Sequence, residues 1–176
     1  MENLRIEKVN YESGELRRVQ YFNCEEKLHR EDGPAIIKYY KNGQIEEEYW
    51  YKNGKIHKFN APAIIRYYEN GQIQEIMYYR NDRCTNKKGP ARVKYYENGQ
   101  IKEQGYFWMD RYNNLNGPAI INYYKNGLIH KQYYYKNGKI HNVFGPAFIE
   151  YSENGSILAK QYFVNNKEIL NPNTII

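Results

Sequence analysis

Apolar and polar residues alternate along this chain in short runs. From Pro34 to Tyr40 and from Gln44 to Tyr51 the apolar positions are Ala, Ile, Tyr and Trp, recurring with the two-residue period of a half-buried strand. Asn42-Gly43 separates the runs, and both residues tolerate the positive φ that a tight reversal needs. Residues 34–51 therefore predict a β-hairpin. Lys52 to Asn60 predicts a longer connection, and the proline that follows, with no N–H to give a ladder, opens the next strand.

The hairpin is copied along the chain. Gly33-Pro34-Ala35 returns as Ala61-Pro62-Ala63, Gly89-Pro90-Ala91, Gly117-Pro118-Ala119 and Gly145-Pro146-Ala147, at intervals of 28 residues. Tyr39, Asn42-Gly43 and Ile45 recur with the same period, and such self-similarity marks a repeat architecture. With two strands per unit and neighbours pairing in chain order, the expected fold is all-β: a single-layer, twisted antiparallel β-meander forming one domain. Its repeats span 33–60, 61–88, 89–116 and 117–144, with 145–176 as the last repeat and C-terminal cap. Residues 1–32 read as a worn copy serving as an N-terminal cap, with one extra residue in Asn23 to Lys27. The run Asn171-Pro172-Asn173-Thr174-Ile175-Ile176 reads as the opening of a further strand.

Parity bears on the register. Ala35, Ile37, Tyr39, Ile45 and Tyr51 head the columns that change least, whereas positions 36, 38, 46 and 48 vary freely. A three-residue loop with a glycine bulge keeps odd positions on one face and makes that face the buried one; this register is preferred. A two-residue loop would instead oppose Lys38 to Glu47, Arg66 to Glu75 and Lys94 to Glu103, each pair worth about 0.2–1 kcal/mol. Tyr40, Tyr68, Tyr96 and Tyr124 would lie on the face opposite Tyr39, so an uncovered sheet leaves an aromatic face open to a partner.

Composition narrows the function. Cys24 and Cys84 occupy different repeat positions and are read as reduced thiols, which suits a cytoplasmic protein. The opening residues are charged, without the apolar centre of a signal peptide, and no apolar run reaches membrane-spanning length. The formal charge is +6, and Arg80, Arg83, Lys87, Lys88, Arg92 and Lys94 against Asp82 place +5 between positions 80 and 94.

Candidate chemistry is sparse. His29, His57 and His141 share a repeat position, but adjacent units hold it about 9.6 Å apart, too far for two ligands of one metal. They are read as loop residues satisfying local hydrogen bonds. Three serines and three aspartates are scattered among turns, and the constant spacing leaves no inserted loop for an active site. The reading is non-enzymatic, with no cofactor, metal or catalytic residue.

Broken repetition marks the candidate site. Where other units have Lys-Asn-Gly-Lys-Ile-His, the chain has Arg80-Asn-Asp-Arg83-Cys84 and then Trp108-Met109-Asp110-Arg111-Tyr112. The partner-binding residues expected are Arg80, Arg83, Lys87, Lys88, Arg92, Trp108, Met109, Arg111 and Tyr112, types enriched where proteins meet.

The phrase Leu28-His-Arg-x-Asp-Gly-Pro-Ala35 and the runs Tyr51-Lys-Asn-Gly-Lys-Ile-His57 and Tyr135-Lys-Asn-Gly-Lys-Ile-His141 resemble MORN repeats. The resemblance is to the MORN-variant type of antitoxin-like bacterial proteins and of giant DNA viruses. The period here is longer than the standard MORN repeat, and Gly-Pro-Ala stands where that pattern has Gly-x-Gly. The resemblance implies a scaffold for protein contacts, in some members dimeric and in some associated with phospholipid. A viral member would work in the host cytoplasm. The expected function is a scaffold for protein–protein interaction or self-association, as a homodimer, through the loop patch, sheet edges and aromatic face. The alternative is an anion-binding module for nucleic acid or anionic phospholipid through the basic residues at 80–94. Charge confined to one stretch favours a protein partner.

Overall fold

The computed structural model describes residues 4–171, which form two compact units, Met1–Cys84 and Thr85–Ile176. Residues 172–176, where the sequence suggests a further capping strand, lie outside the described residues. Among the described residues the regular elements are all strands, and no helix is long and apolar enough to cross a membrane.

The first unit holds β1 (Arg5–Asn10), β2 (Leu16–Phe22), β3 (Ile36–Tyr39), β4 (Ile45–Tyr49), β5 (Tyr51–Lys52), β6 (Lys55–Ile56), β7 (Ile64–Tyr67), β8 (Ile73–Met77), β9 (Tyr79–Arg80) and β10 (Arg83–Cys84). Its sheet runs β1-β2-β3-β4-β7-β8, each strand antiparallel to its neighbour, while β5/β6 and β9/β10 form separate two-residue hairpins. The second unit holds β11 (Arg92–Tyr95), β12 (Ile101–Gly105), β13 (Phe107–Trp108), β14 (Arg111–Tyr112), β15 (Ile120–Tyr123), β16 (Ile129–Tyr133), β17 (Tyr135–Lys136), β18 (Lys139–Ile140), β19 (Phe148–Tyr151), β20 (Ile157–Val164) and β21 (Lys167–Ile169). Here the order is β11-β12-β15-β16-β19-β20-β21, with β13/β14 and β17/β18 standing apart. The meander follows chain order in both units, as the repeat predicts.

Two features differ from the sequence reading. The connection Lys52 to Asn60 is not all loop: Tyr51 to Ile56 fold into a small hairpin, here called the ear, on a two-residue Asn53-Gly54 turn. The second long strand ends at Tyr49: Trp50 still gives its N–H to the Ala63 carbonyl of the next repeat at 2.8 Å, in register with the Tyr49–Ile64 pair, but its own carbonyl takes the His57 N–H at 3.0 Å and so opens the ear. Tyr106 and Tyr134 do the same toward Ala119 and Ala147, both at 2.8 Å. Tyr162 has no such bond among the described residues, and β20 runs through it unbroken.

The second difference concerns the faces. The turn is the three-residue loop with a glycine bulge: Tyr40 N–H reaches the Gln44 carbonyl at 2.9 Å, and Gly43 has φ +84°. Tyr39 pairs with Ile45, but Lys38 then pairs with Glu47, so Glu46 is an extra residue. The same shift falls at Gln74, Lys102, His130 and Leu158. This second bulge exchanges odd for even across the hairpin, so one odd-numbered buried face does not form. The residues with no exposed surface form a column instead: Ala35, Ala63, Ala91, Ala119 and Ala147 are each 0% exposed. Each of these alanines donates its N–H to its own repeat, as Ala63 does to the Met77 carbonyl at 2.8 Å.

Past the bulge, opposite charges line up across strands. Glu47 accepts from Lys38 Nζ at 2.5 Å and Arg66 Nε at 2.9 Å, and Arg66 also pairs with Glu75, making one row over four strands. In the second unit Glu103 takes Arg92 Nη2 at 2.5 Å, and Glu150 lies 3.2 Å from Lys131 Nζ. On the other face, hydroxyls of Tyr67, Tyr123 and Tyr151 donate to Glu48, Gln104 and Gln132 at 2.7, 2.7 and 3.0 Å. Hydroxyls of Tyr40, Tyr96 and Tyr124 donate to the next repeat's Tyr67, Tyr123 and Tyr151 carbonyls at 2.7, 2.7 and 2.8 Å.

Burial would raise the Glu47 carboxyl, but hydrogen bonds from Lys38, Tyr49 and Arg66 outweigh it and hold the group below its ordinary value. A depressed carboxylate contributes stability above its unfolded pKa and loses it as pH falls through the folded one. Denaturant titration should therefore show Glu47→Gln less stable than the parent at pH 7, with the gap closing below pH 4.5. An unchanged gap at pH 3 removes Glu47 from the pH response. Ala119→Leu, which adds three carbons to a fully buried site between strands, should cost about 1–3 kcal/mol; an unaltered melting temperature would show that the column has slack.

Candidate loop-edge binding site

The ears and the Gly-Pro loops leave the sheet at the same strand ends, so together they build one edge of each unit. The ear turns need positive φ at both central residues, the geometry of the type I′ turn. Asn53 and Gly54 have φ 49° and 79°, Asn137 and Gly138 have 51° and 80°, and Asn165 and Asn166 have 51° and 69°. Within each unit the ears bond to the connection of the repeat before. Gly54 N–H reaches the Leu28 carbonyl and Gly138 N–H the Tyr112 carbonyl, both at 2.8 Å.

The shared histidine position belongs to this stacking. His29 Nδ1 accepts from Asn53 N–H at 3.0 Å and His141 Nδ1 from Asn165 N–H at 3.2 Å, while His57 Nδ1 donates to Asn81 Oδ1 at 2.9 Å. Asn113 Oδ1 takes the same role, accepting from Asn137 N–H at 3.0 Å. Among the described residues no three His, Cys, Asp or Glu side chains gather where they could hold a metal ion.

The loops are braced in two ways. In the second unit Asn86, Asn114 and Asn142 donate Nδ2 to the Pro90, Pro118 and Pro146 carbonyls at 3.0, 2.9 and 3.0 Å. The Oδ1 of each also accepts a loop N–H, from Lys88, Asn116 and Phe144 in turn. In the first unit that position is cationic. Arg30 stacks over Tyr21 at 4.3 Å and Lys58 over Trp50 at 3.5 Å, where burial pushes the Lys58 ammonium below its ordinary pKa.

The ear at 107–112 departs from its relatives. Gly105 stands where Tyr49 and Tyr133 stand, and a Cβ there would meet the Phe107 ring at 2.9 Å. Phe107 lies over that gap and stacks on Tyr112 at 4.2 Å. Arg92 packs against both rings and donates Nη2 to the Tyr112 hydroxyl at 2.8 Å, besides its Glu103 pair. Arg92 and Tyr112 are thus half-buried supports, and burial raises the Tyr112 phenol despite the nearby guanidinium.

At the surface of this ear Trp108 is 44% exposed, Met109 holds φ +49° where other ears have Asn, and Arg111 is exposed. Lys87 and Lys88 are exposed on the adjoining loop, with Lys87 Nζ 5.8 Å from the Trp108 ring centre. Tyr106, Phe107, Trp108, Lys87, Lys88 and Leu115 line a groove of 530 Å³. Arg80 and Arg83 are exposed in the first unit, where Arg80 lies 5.6 Å from Phe59. Sequence reading missed the apolar loop tips: Leu115, Val143 and Phe144 are 76%, 54% and 98% exposed. Their signal was an apolar residue in an otherwise polar run just before Gly-Pro.

No curated protein sequence matches the chain. A family model for the MORN repeat variant matches residues 64–81, 91–109 and 147–165. Each matched segment runs from the first long strand, through the bulged hairpin, into the ear. With the same hairpin and ear recurring every 28 residues between them, the chain is a protein of the MORN-variant repeat family.

Proposed function

We propose that this chain is a non-enzymatic cytoplasmic scaffold that holds a protein partner at the loop edge of the Thr85–Ile176 unit. MORN repeats are binding modules for proteins or membranes, and the proposal narrows that to protein. One observation carries it. In the second unit the sheet carries ion pairs and hydroxyl bonds, with Leu128, Ile157 and Leu158 exposed by the far hairpins, whereas the loop edge gathers Trp108, Met109, Leu115, Val143 and Phe144 open to solvent. A cluster of exposed large apolar residues beside lysine and arginine is the composition of an interface centre with a basic rim. In this reading Lys87, Lys88, Trp108, Met109 and Arg111 contact the partner, and Arg92 and Tyr112 position the ear that presents them. Arg80 and Arg83 lend the first unit's corresponding turn a similar basic character.

The competing reading, an anion-binding surface for nucleic acid or phospholipid, is weakened by the pairing of the charges. Arg92 and Lys94 of the basic stretch both face Glu103, at 2.5 and 3.5 Å. A second copy of the chain is the other protein partner this edge could take.

Capture of partners from host lysate by the immobilised protein should be lost in a Lys87→Ala, Lys88→Ala, Trp108→Ala variant whose far-UV spectrum is unchanged. Capture that persists moves the contact elsewhere, and capture of nucleic acid or lipid with a steep salt dependence favours the anionic partner. Met109 is a non-glycine residue held at positive φ, a cost of about 1 kcal/mol that Asn largely avoids. Met109→Asn should raise the melting temperature while weakening capture; a variant that gains no stability overturns the strain at Met109, and one that captures as well as the parent removes Met109 from the contact.

A further inference from the structure

The charge of the molecule is unevenly divided. Residues 1–84 carry fourteen basic and fourteen acidic side chains, whereas residues 85–176 carry twelve against six. In the second unit Glu103 and Glu150 are paired within the sheet, and Glu97 and Glu153 sit on the hairpin tips. The ear and loop edge therefore keeps Lys87, Lys88, Arg111, Lys136 and Lys139 exposed, with Asp110 and Glu168 as its acidic residues. A partner lying along this edge meets positive charge around apolar tips.

The edge is also periodic and stiff. Lys87, Leu115 and Val143 occupy one loop position in successive repeats, and the three asparagine braces hold those loops alike. Two strands per repeat space equivalent loop residues about 9.6 Å apart. An extended chain in the polyproline II form repeats its side-chain direction every three residues, about 9.3 Å. A β-strand repeats every two residues, about 6.7 Å, and falls out of step with the loops within one repeat. Aromatic floors such as Tyr106 in the groove at 86–116 suit the flat, ready-made surface of such a helix.

We infer that the loop edge of the Thr85–Ile176 unit docks an acidic, extended segment of a partner protein in polyproline II form, its apolar residues spaced three apart. This rests on the scaffold reading above and specifies its partner. Leu115 and Val143 separate successive apolar side chains of the segment, the tyrosine floor takes them, and the lysines of loops and ears face its carboxylates.

The test uses the full chain and two labelled synthetic peptides of identical composition, followed by fluorescence anisotropy. One is four repeats of Leu-Pro-Glu, which puts every leucine on one side; the other permutes the same residues so that the leucines are not three apart. The ordered peptide should bind at least about ten-fold tighter than the permuted one. Leu115→Glu combined with Val143→Glu should remove that binding. Lys88→Glu should weaken it several-fold, and Lys125→Glu, the same charge change on a hairpin tip, should leave it unaltered. Far-UV spectra that match the parent show that the variants fold. Equal binding of both peptides, or binding that survives Leu115→Glu and Val143→Glu, overturns the inference. If neither peptide binds while partner capture still requires Trp108, the extended-segment inference fails and the scaffold reading stands.

Discussion

The buried alanine of each repeat is the joint on which this architecture turns. Its N–H enters the ladder of its own hairpin, and within each unit its carbonyl takes an N–H from the repeat before, as Ala63 does from Trp50 at 2.8 Å. Both bonds require the two repeats to approach so closely that no side chain larger than a methyl group has space, and the five alanines are 0% exposed. Proline immediately before the alanine belongs to the same device, because it ends the loop without an N–H that would need a partner. Trp50, which makes that bond, also takes the His57 N–H on its carbonyl at 3.0 Å, so the ear opens where the two repeats meet.

A sheet one layer thick has no deep interior, so the usual source of stability is thin. Most strand residues here are half-buried. What replaces a core is neighbour-to-neighbour bonding repeated along the chain: tyrosine hydroxyls onto the next repeat's carbonyl, carboxylates between two cations, ear on ear. Each bond is modest by itself, about 0.5–1.5 kcal/mol net, and the sum depends on every repeat keeping register with the next. The same economy explains where function can reside. Substitutions on the faces break rows that run through several strands, whereas the apolar side chains of loop tips such as Leu115 and Phe144 stand in solvent.

The ear at 107–112 shows how one repeat can depart without losing register. Gly105 removes a large side chain from the sheet, Phe107 and Tyr112 stack over the space, and Arg92 seals it with bonds to Glu103 and Tyr112. These four changes compensate one another, so the ladder pairs Arg92 with Gly105 in the ordinary register. Their shared result is that Trp108 and Met109 stand outward, Met109 in a backbone conformation that every other described ear gives to asparagine. A strained residue held in place by rearranged neighbours is the kind of local conflict that marks a binding position.

Much of this was legible in the residues. The 28-residue period, the hairpin and the meander order all follow from local patterns, because turn chemistry and alternation act over a few residues. The three-residue turn was only the preferred of two, and the Lys38–Glu47 pairing expected of the other is the one that forms. The irregular stretch at 108–112 could be seen for the same reason, as a break in repetition. The division of faces could not. A single unpaired residue at positions such as Glu46 reverses inside and outside for half the hairpin, and only the paired strand reveals where that residue falls. Nor could the chain alone separate the arginine that supports from the tryptophan that is presented: Arg92 and Trp108 are both unusual in the repeat, and their burial is decided by what Gly105 leaves empty. Local sequence chose the elements, and contact between repeats chose which side chains remained for a partner.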